Sequence, residues 1–243
     1  MTAKPLARRA IIRVAPRNGD ENVADFLQGL LTNDVTGDLP AYAALLSAQG
    51  KAMFDFLVWP GEDGSLLLDC EAESADDLVK RLSLYRLRRP IDIAVDESLA
   101  AYWSERAFDG ALPDPRLPAL GYRAVAPADI RDATDEAYRA HRLALGVPEG
   151  QAELGDILWL ETNAVELNGV SFDKGCYIGQ ENTARMNWRQ KVNRRLVVVP
   201  LASSEEKRRK AAYPDVGLAV DHLRVADLDP QTLPDWQAAA IGE

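Results

Sequence analysis

Residues 173–181 read DKGCYIGQE and place one of the two cysteines of a 243-residue chain in a glycine-flanked turn. A thiol acts as nucleophile or metal ligand in its thiolate form, which neighbouring positive charge and unpaired N–H donors favour. Lys174 and Arg185 can supply charge to Cys176, and a helix beginning at Tyr177 would supply first-turn N–H groups. Gly175 and Gly179 permit a tight turn and close approach of a ligand. Gln180 and Glu181 can orient that ligand by hydrogen bonds. The functional reading is an exposed, activated cysteine. The competing reading is a small buried residue in a turn, with Lys174 solvated.

Other chemistry-bearing residues are sparse. A Cys–His hydrolase needs a base beside its thiol, and His141, on a predicted helix, has no recognisable partner for that role. Cys70 follows the apolar run LLLD and reads as a core residue. Two cysteines and two histidines, far apart, match no zinc-ligand spacing, so no metal site is expected. Asp34 closes the TND stretch at 32–34, and Asp55 interrupts the apolar strand AMFDFLVW. A strand carboxylate faces solvent by default; facing a pocket, it can bind an amine or pterin edge or move a proton.

Net charge is −10, which disfavours nonspecific nucleic-acid binding. The charge is uneven. Window 173–195 holds six basic residues (Lys174, Arg185, Arg189, Lys191, Arg194 and Arg195) against Asp173 and Glu181. This basic island around the cysteine suits an anionic ligand, or is a solvated helix face. No apolar run approaches the roughly 20 residues of a membrane span. The N-terminus MTAKPLARRAIIRVAP lacks a signal core, and its alternation reads as a strand rather than a transit peptide. Neither a membrane nor a direct nucleic-acid partner is expected, and the expected compartment is cytoplasmic, or the mitochondrial matrix in a eukaryote.

The elements that must position these residues are mixed. Residues 8–15 alternate as a strand. A helix is predicted over 22–34, capped by Asp20 or Asn22, with Val23, Phe26, Leu27, Leu30 and Leu31 on one face. Strands at 43–48 and 52–59 are joined by the QGK turn, and PGEDG leads into a strand at 65–70. Ser74 with Asp77 opens a helix ended by Pro90. Strands at 91–96 and 99–104, a proline-rich loop at 109–118 and the strand GYRAVAP follow. A helix runs between Thr134 as cap and Gly146 as stop. RRLVVVPL is a strand, SSEEKRRKAA a charged turn or helix, VGLAVDHLRVADL contains a strand, and Trp236 packs down from the tail. Hairpins among helices make this α+β, without a phosphate-binding glycine loop.

KGCYIGQE closely resembles the signature of the YgfZ-type folate-binding family, relatives of the T-protein (aminomethyltransferase) of the glycine cleavage system. FLQGLLTNDV, AQGKAMFDFLVW, DPRLPALGYR and HRLALGVPEG resemble further stretches of its iron–sulfur branch, and together they span most of residues 8–200. The resemblance implies an α+β, T-protein-like fold: two interleaved halves over residues 1–192, with a boundary near 95–105, then a small, truncated β-barrel over 193–243. It implies tetrahydrofolate as cofactor, and iron–sulfur client enzymes (tRNA-modifying ones included) or assembly proteins as partners. Lys174, Cys176, Tyr177, Gly179 and Gln180 match the functional signature. Cys176 is its centre, as a transient cluster contact or a redox thiol. Asn33, Asp34, Asp55, Arg123, Arg142, Glu181 and Arg185 are assigned to the folate, the basic island suiting its polyglutamate tail. Ala144 stands where T-proteins place a pterin-contacting glutamate. The alternatives are a folate-dependent one-carbon transferase using Asp55, and an interaction scaffold with a structural cysteine.

Overall fold

The computed structural model describes residues 3–19, 21–189 and 192–241. A short β1 (Lys4–Pro5) precedes β2 (Arg9–Pro16), whose sequence RAIIRVAP buries Ile11, Ile12 and Val14. With β3 (Ala41–Leu46), β4 (Ala52–Pro60), β5 (Leu66–Glu71) and β6 (Ile91–Val95), β2 forms an antiparallel sheet in the order β3-β4-β5-β2-β6. Both faces are covered, and the period of two sorts the side chains between them. Ala43, Leu45, Phe56, Val58, Leu68, Ile12 and Val14 enter one core, beneath α1 (Val23–Gln28) and α2 (Ala75–Arg86). Tyr42, Ala44, Leu46, Leu57, Trp59, Leu67 and Ile11 enter the other, with Trp159 and Leu160.

The second half is a four-stranded sheet of β7 (Leu99–Ser104), β8 (Leu112–Pro113) and β9 (Tyr122–Pro127) with β1, in the order β1-β7-β9-β8. The first strand of the chain thus belongs to the second sheet, which interleaves the halves. Helix α3 (Asp135–Ala144) ends before Gly146, whose φ of +75° a glycine adopts freely. A single turn, α4 (Gln151–Leu154), and α5 (Gln180–Arg189) follow. Strands β10 (Arg194–Pro200), β11 (Arg209–Tyr213) and β12 (Leu218–Arg224) make a three-stranded sheet, order β10-β12-β11. Leu196 and Val220 from it join the core of Trp159. The tail forms α6 (Asp235–Ala239), and Trp236 donates its indole N–H to the Leu145 carbonyl at 2.9 Å.

Several expectations change. The helix predicted over 22–34 stops at Gln28 because the edge of β3 takes the chain: Leu31 bridges Leu45, and the Thr32 N–H donates to the Ala44 carbonyl. The expected apolar face is nonetheless buried throughout. Asn22 is its cap, accepting from the Asp25 N–H at 3.2 Å, while Asp20 lies outside the described residues. Ser74 and Thr134 make no side-chain cap; the Ser74 hydroxyl donates instead to the Glu71 carbonyl behind it. SSEEKRRKAA enters strand β11, because β12 offers its residues backbone partners. The C-terminal segment, expected as a small, truncated β-barrel, is an open three-stranded sheet.

Candidate functional site

The cysteine motif lies on a loop between the Trp159 core and α5. The loop is pinned on both sides of the sulfur. Upstream, the Ser171 N–H donates to the Thr32 carbonyl, and the Lys174 ammonium donates to the carbonyls of Gln28 (2.6 Å) and Leu31. The Gln28 carbonyl is left over where α1 ends, so Lys174 caps that terminus and ties it to Leu31 beyond it. Its ammonium also lies 5.0 Å from the centre of the Tyr177 ring, over the ring face. Burial pulls the Lys174 pKa down to about 8, against the opposing charge of Asp34.

Downstream, Tyr177 is buried in the core, and Gly179 packs on the turn joining β3 to β4. Gly179 has φ of +80°, and a Cβ there would lie 2.5 Å from the Ser47 carbonyl oxygen. Gly50, at φ +78°, faces it from the other side; a Cβ on Gly50 would stand 3.0 Å from the Gly179 oxygen. Asn182 donates to the Gln49 carbonyl at 2.6 Å. The QGK turn and the IGQE segment are therefore locked glycine against glycine. Between the two anchors, Cys176 is exposed.

Two parts of the expected activation change. Helix α5 begins at Gln180, so its first-turn N–H groups follow Cys176 by four residues instead of starting beside it. The Lys174 charge goes to main-chain carbonyls and an aromatic face rather than to the sulfur. Of the basic island, Arg195 is buried against Glu166 (2.8 Å), and Lys191 lies outside the described residues. Arg185 is exposed, 3.7 Å from Glu181, on the same stripe of α5 as Trp188, which is 76% exposed. Gln180 opens α5 half-buried. His141 faces the Ala119 carbonyl at 2.9 Å and the Trp103 ring, away from any role as base to the thiol. Cys70 is buried, and burial pushes its thiol up to about 12.

The residues assigned to folate fall in three places, Glu181 and Arg185 lying on the exposed face of α5. Asn33 braces the end of α1 and β3 against the loop before the cysteine, donating to the Tyr42 (2.9 Å) and Asn168 (2.7 Å) carbonyls. Asp34 accepts from the Thr36 hydroxyl and N–H and from Gln28, which hold its carboxyl below the usual range. Asp55, Arg123 and Arg142 sit instead in a buried ionic network between the halves. There Arg9 pairs with Asp69 (2.7 Å) and Glu149 (3.3 Å), and Arg123 with Asp69. Arg116 forks onto Asp114 and reaches Glu149 (2.5 Å) and the Tyr138 hydroxyl (2.8 Å). Arg142 grips Glu153 through both terminal nitrogens, at 2.6 and 3.0 Å. Four arginines thus meet four carboxylates, and Asp55 is the fifth carboxylate. Burial, then the nearby Glu149 charge, push its pKa up to about 6, while the Tyr42 hydroxyl (3.3 Å) and the Gly150 N–H (3.2 Å) donate to it. Ala144 faces solvent at the end of α3, so the missing glutamate there does not bear on the network. Arg9, Asp69, Asp114, Arg116, Glu149 and Glu153 were not singled out from sequence, although DPRLP and GVPEG contain three of them.

The space at the buried arginines is too small for a folate. The hollow bounded by Arg9, Tyr138, Arg142, Glu149 and Tyr213 measures about 110 Å³, against roughly 300–1,000 Å³ for a ligand pocket. Its arginines are already neutralised, although Arg123 behind it keeps two unpaired N–H groups among the described residues. A second hollow of about 760 Å³, beside β4 and α2, is lined by Glu71, Glu73, Asp77 and Asp156 with Lys51 as its one basic residue. That lining repels a glutamate tail. Among the described residues, no group of three or more metal-ligating side chains comes together.

No family model matches the chain. Among solved structures, the glycine cleavage system aminomethyltransferase T from Bartonella henselae superposes with a TM-score of 0.67 over 92% of this chain and 78% of that one. The chain has the aminomethyltransferase T fold. At 13% identity that likeness extends to the fold alone. In sequence, the chain is 34% identical over 215 residues to the iron-sulfur cluster assembly factor IBA57 homolog, mitochondrial, of Neurospora crassa, covering 72% of this chain and 49% of that protein. It is 35% identical over 233 residues to the iron-sulfur cluster assembly factor IBA57, mitochondrial, of Homo sapiens, covering 79% and 64%. The chain therefore spans about half to just under two thirds of the length of these relatives.

Proposed function

We propose that the protein is an accessory factor for assembling or maintaining iron–sulfur clusters in other proteins, of the YgfZ-type branch, acting through the thiol of Cys176. The observation that carries this is the exposed sulfur on a loop anchored from both sides, by Lys174 on α1 and by Gly179 on Gly50. Rigid support on either side of an exposed soft ligand suits transient contact with a cluster carried by another protein. Similarity to the assembly factors named above supports the same class. Arg185 and the exposed Trp188 lie on the helix that follows the loop and offer a surface to such a partner. The partners are iron–sulfur client enzymes, tRNA-modifying ones included, or assembly proteins. The setting is a reducing compartment, either the cytoplasm or the mitochondrial matrix of a eukaryote.

Tetrahydrofolate has no part in this reading, because the buried arginines that would hold it are paired internally. Aminomethyl transfer is disfavoured on the same ground: Asp55 lies under Tyr42 and Gly150 without a substrate-sized space beside it. The test is complementation. In a strain lacking the factor, Cys176→Ala is expected to fold with an unchanged melting temperature and to leave aconitase-type activity unrestored. Full restoration by the variant would remove the thiol from the function. Calorimetric titration with tetrahydrofolate is expected to give no heat of binding; a saturable signal would return the cofactor to the scheme.

A further inference from the structure

The second half of α2 and the residues after it carry a surface that the cysteine site does not use. Between residues 78 and 90 the chain has five basic residues (Lys80, Arg81, Arg86, Arg88 and Arg89) and no aspartate or glutamate, in a protein of net charge −10. Lys80, Leu84 and Leu87 recur at i, i+4 and i+7, so they share one stripe, which Arg81 and Arg88 flank. Leu84 is 67% exposed and Leu87 84%. Leu87 is anomalous in two ways. It ends the helix with φ of +52° and ψ of −114°, a positive-φ conformation that glycine adopts without strain and leucine does not. It also holds its side chain in solvent. A residue that is unfavourable both in backbone and in exposure points to a use outside the folded chain. Beside it is an open hollow of about 640 Å³, lined by Leu87, Arg88, Arg89, Pro90 and Glu21, whose one carboxylate is held by Arg89.

We infer that this end of α2 is a peripheral attachment site for an anionic phospholipid surface. Leu84 and Leu87 enter the headgroup boundary, and Arg81 and Arg88 face the lipid phosphates, with Lys80, paired to Asp77 at 2.9 Å, beside them. A pair of exposed leucines flanked by long basic side chains at a helix end matches a soft charged interface. A shaped protein groove would be met instead by aromatic anchors. Asp77 and Glu21 beside the patch are held by Lys80 and Arg89, and acidic groups beyond a Debye length of about 8–10 Å weaken the attraction little.

The test uses the full chain and extruded vesicles, either phosphatidylcholine alone or phosphatidylcholine with an equal part of phosphatidylglycerol. Co-sedimentation is expected with the anionic vesicles alone, falling as salt is raised. Arg81→Glu with Arg88→Glu is expected to abolish it. Leu87→Gly is the discriminating variant: it relieves the positive-φ strain, so the melting temperature holds or rises, while vesicle binding falls several-fold. No co-sedimentation with the anionic vesicles would overturn the inference. So would vesicle binding unchanged in Leu84→Ser with Leu87→Gly. Heparin or RNA binding of equal strength, indifferent to the two leucines, would identify the patch as a general polyanion surface and overturn it as well.

Discussion

The cysteine loop and the buried ionic network lie in one fold and treat charge in opposite ways. The network brings four arginines and four carboxylates into pairs and holds Asp55 beside them under Tyr42 and Gly150. The loop brings one ammonium to two carbonyls and an aromatic face, and leaves a sulfur facing outward. In a T-protein fold the space between the halves is where a ligand would be sought. Here that space holds structure, and the thiol of Cys176 stands at the surface. Chemistry on a shared fold follows the groups that remain unpartnered, not the groups that are most numerous.

The sharpest way to break the comparison is to unpair the network. Arg116 holds Asp114 and Glu149, contacts the Tyr138 hydroxyl, and lies over the Tyr42 ring. Removing one partner of a buried ionic cluster leaves uncompensated charge, which costs about 3–5 kcal/mol. Arg116→Met is expected to lower the unfolding free energy, read from urea denaturation, by that amount, with the rate of Cys176 alkylation unchanged while the protein remains folded. A loss below about 1 kcal/mol would mean the network is loose enough to admit a ligand.

The next effect comes from the odd carboxylate. Asp55 is protonated in the folded chain up to about pH 6, against an ordinary value of 3.8. A carboxyl raised by folding favours the native state below its unfolded pKa, and that advantage is lost as pH rises through the folded pKa. A shift of roughly two units corresponds to up to about 3 kcal/mol. Between about pH 4 and pH 6, stability relative to Asp55→Asn is therefore expected to fall as pH rises, and to level off above pH 6. The check is chemical denaturation of both proteins across that range; parallel curves would show that the Asp55 carboxyl is not raised.

How far sequence reached follows the same division. The strands, the buried face of α1 and the exposed cysteine were legible, because each rests on local periodicity or on a turn motif. The short α1 was not, since a sheet edge distant in sequence captures Leu31 and Thr32. The ionic network was legible only as fragments. Arg9, Asp69, Arg116 and Glu149 lie on separate segments, and a lone arginine in a strand reads as solvent-facing until the topology brings its carboxylate to it. The Lys174 anchor was misread for a related reason: adjacency to Cys176 in sequence suggested a partner for the thiol, while its hydrogen bonds reach back to α1.

The smallest predicted effect sharpens the loop side, using its two glycines against each other. Gly175 and Gly179 flank the same cysteine, and sequence gave both one role. A side chain at 175 would meet nothing within 4 Å, whereas one at 179 would strike the Ser47 carbonyl from a left-handed backbone. Left-handed strain at a residue with a side chain costs about 1–3 kcal/mol. Gly179→Ala is therefore expected to lower stability by at least the bottom of that range, and to free the loop from the QGK turn, seen as faster hydrogen exchange at Tyr177 and Gln180. Gly175→Ala should melt with the parent protein and keep its complementation. If the two variants behaved alike, the anchoring of Cys176 by Gly179 on Gly50 would be wrong, and the loop would be held by Lys174 alone.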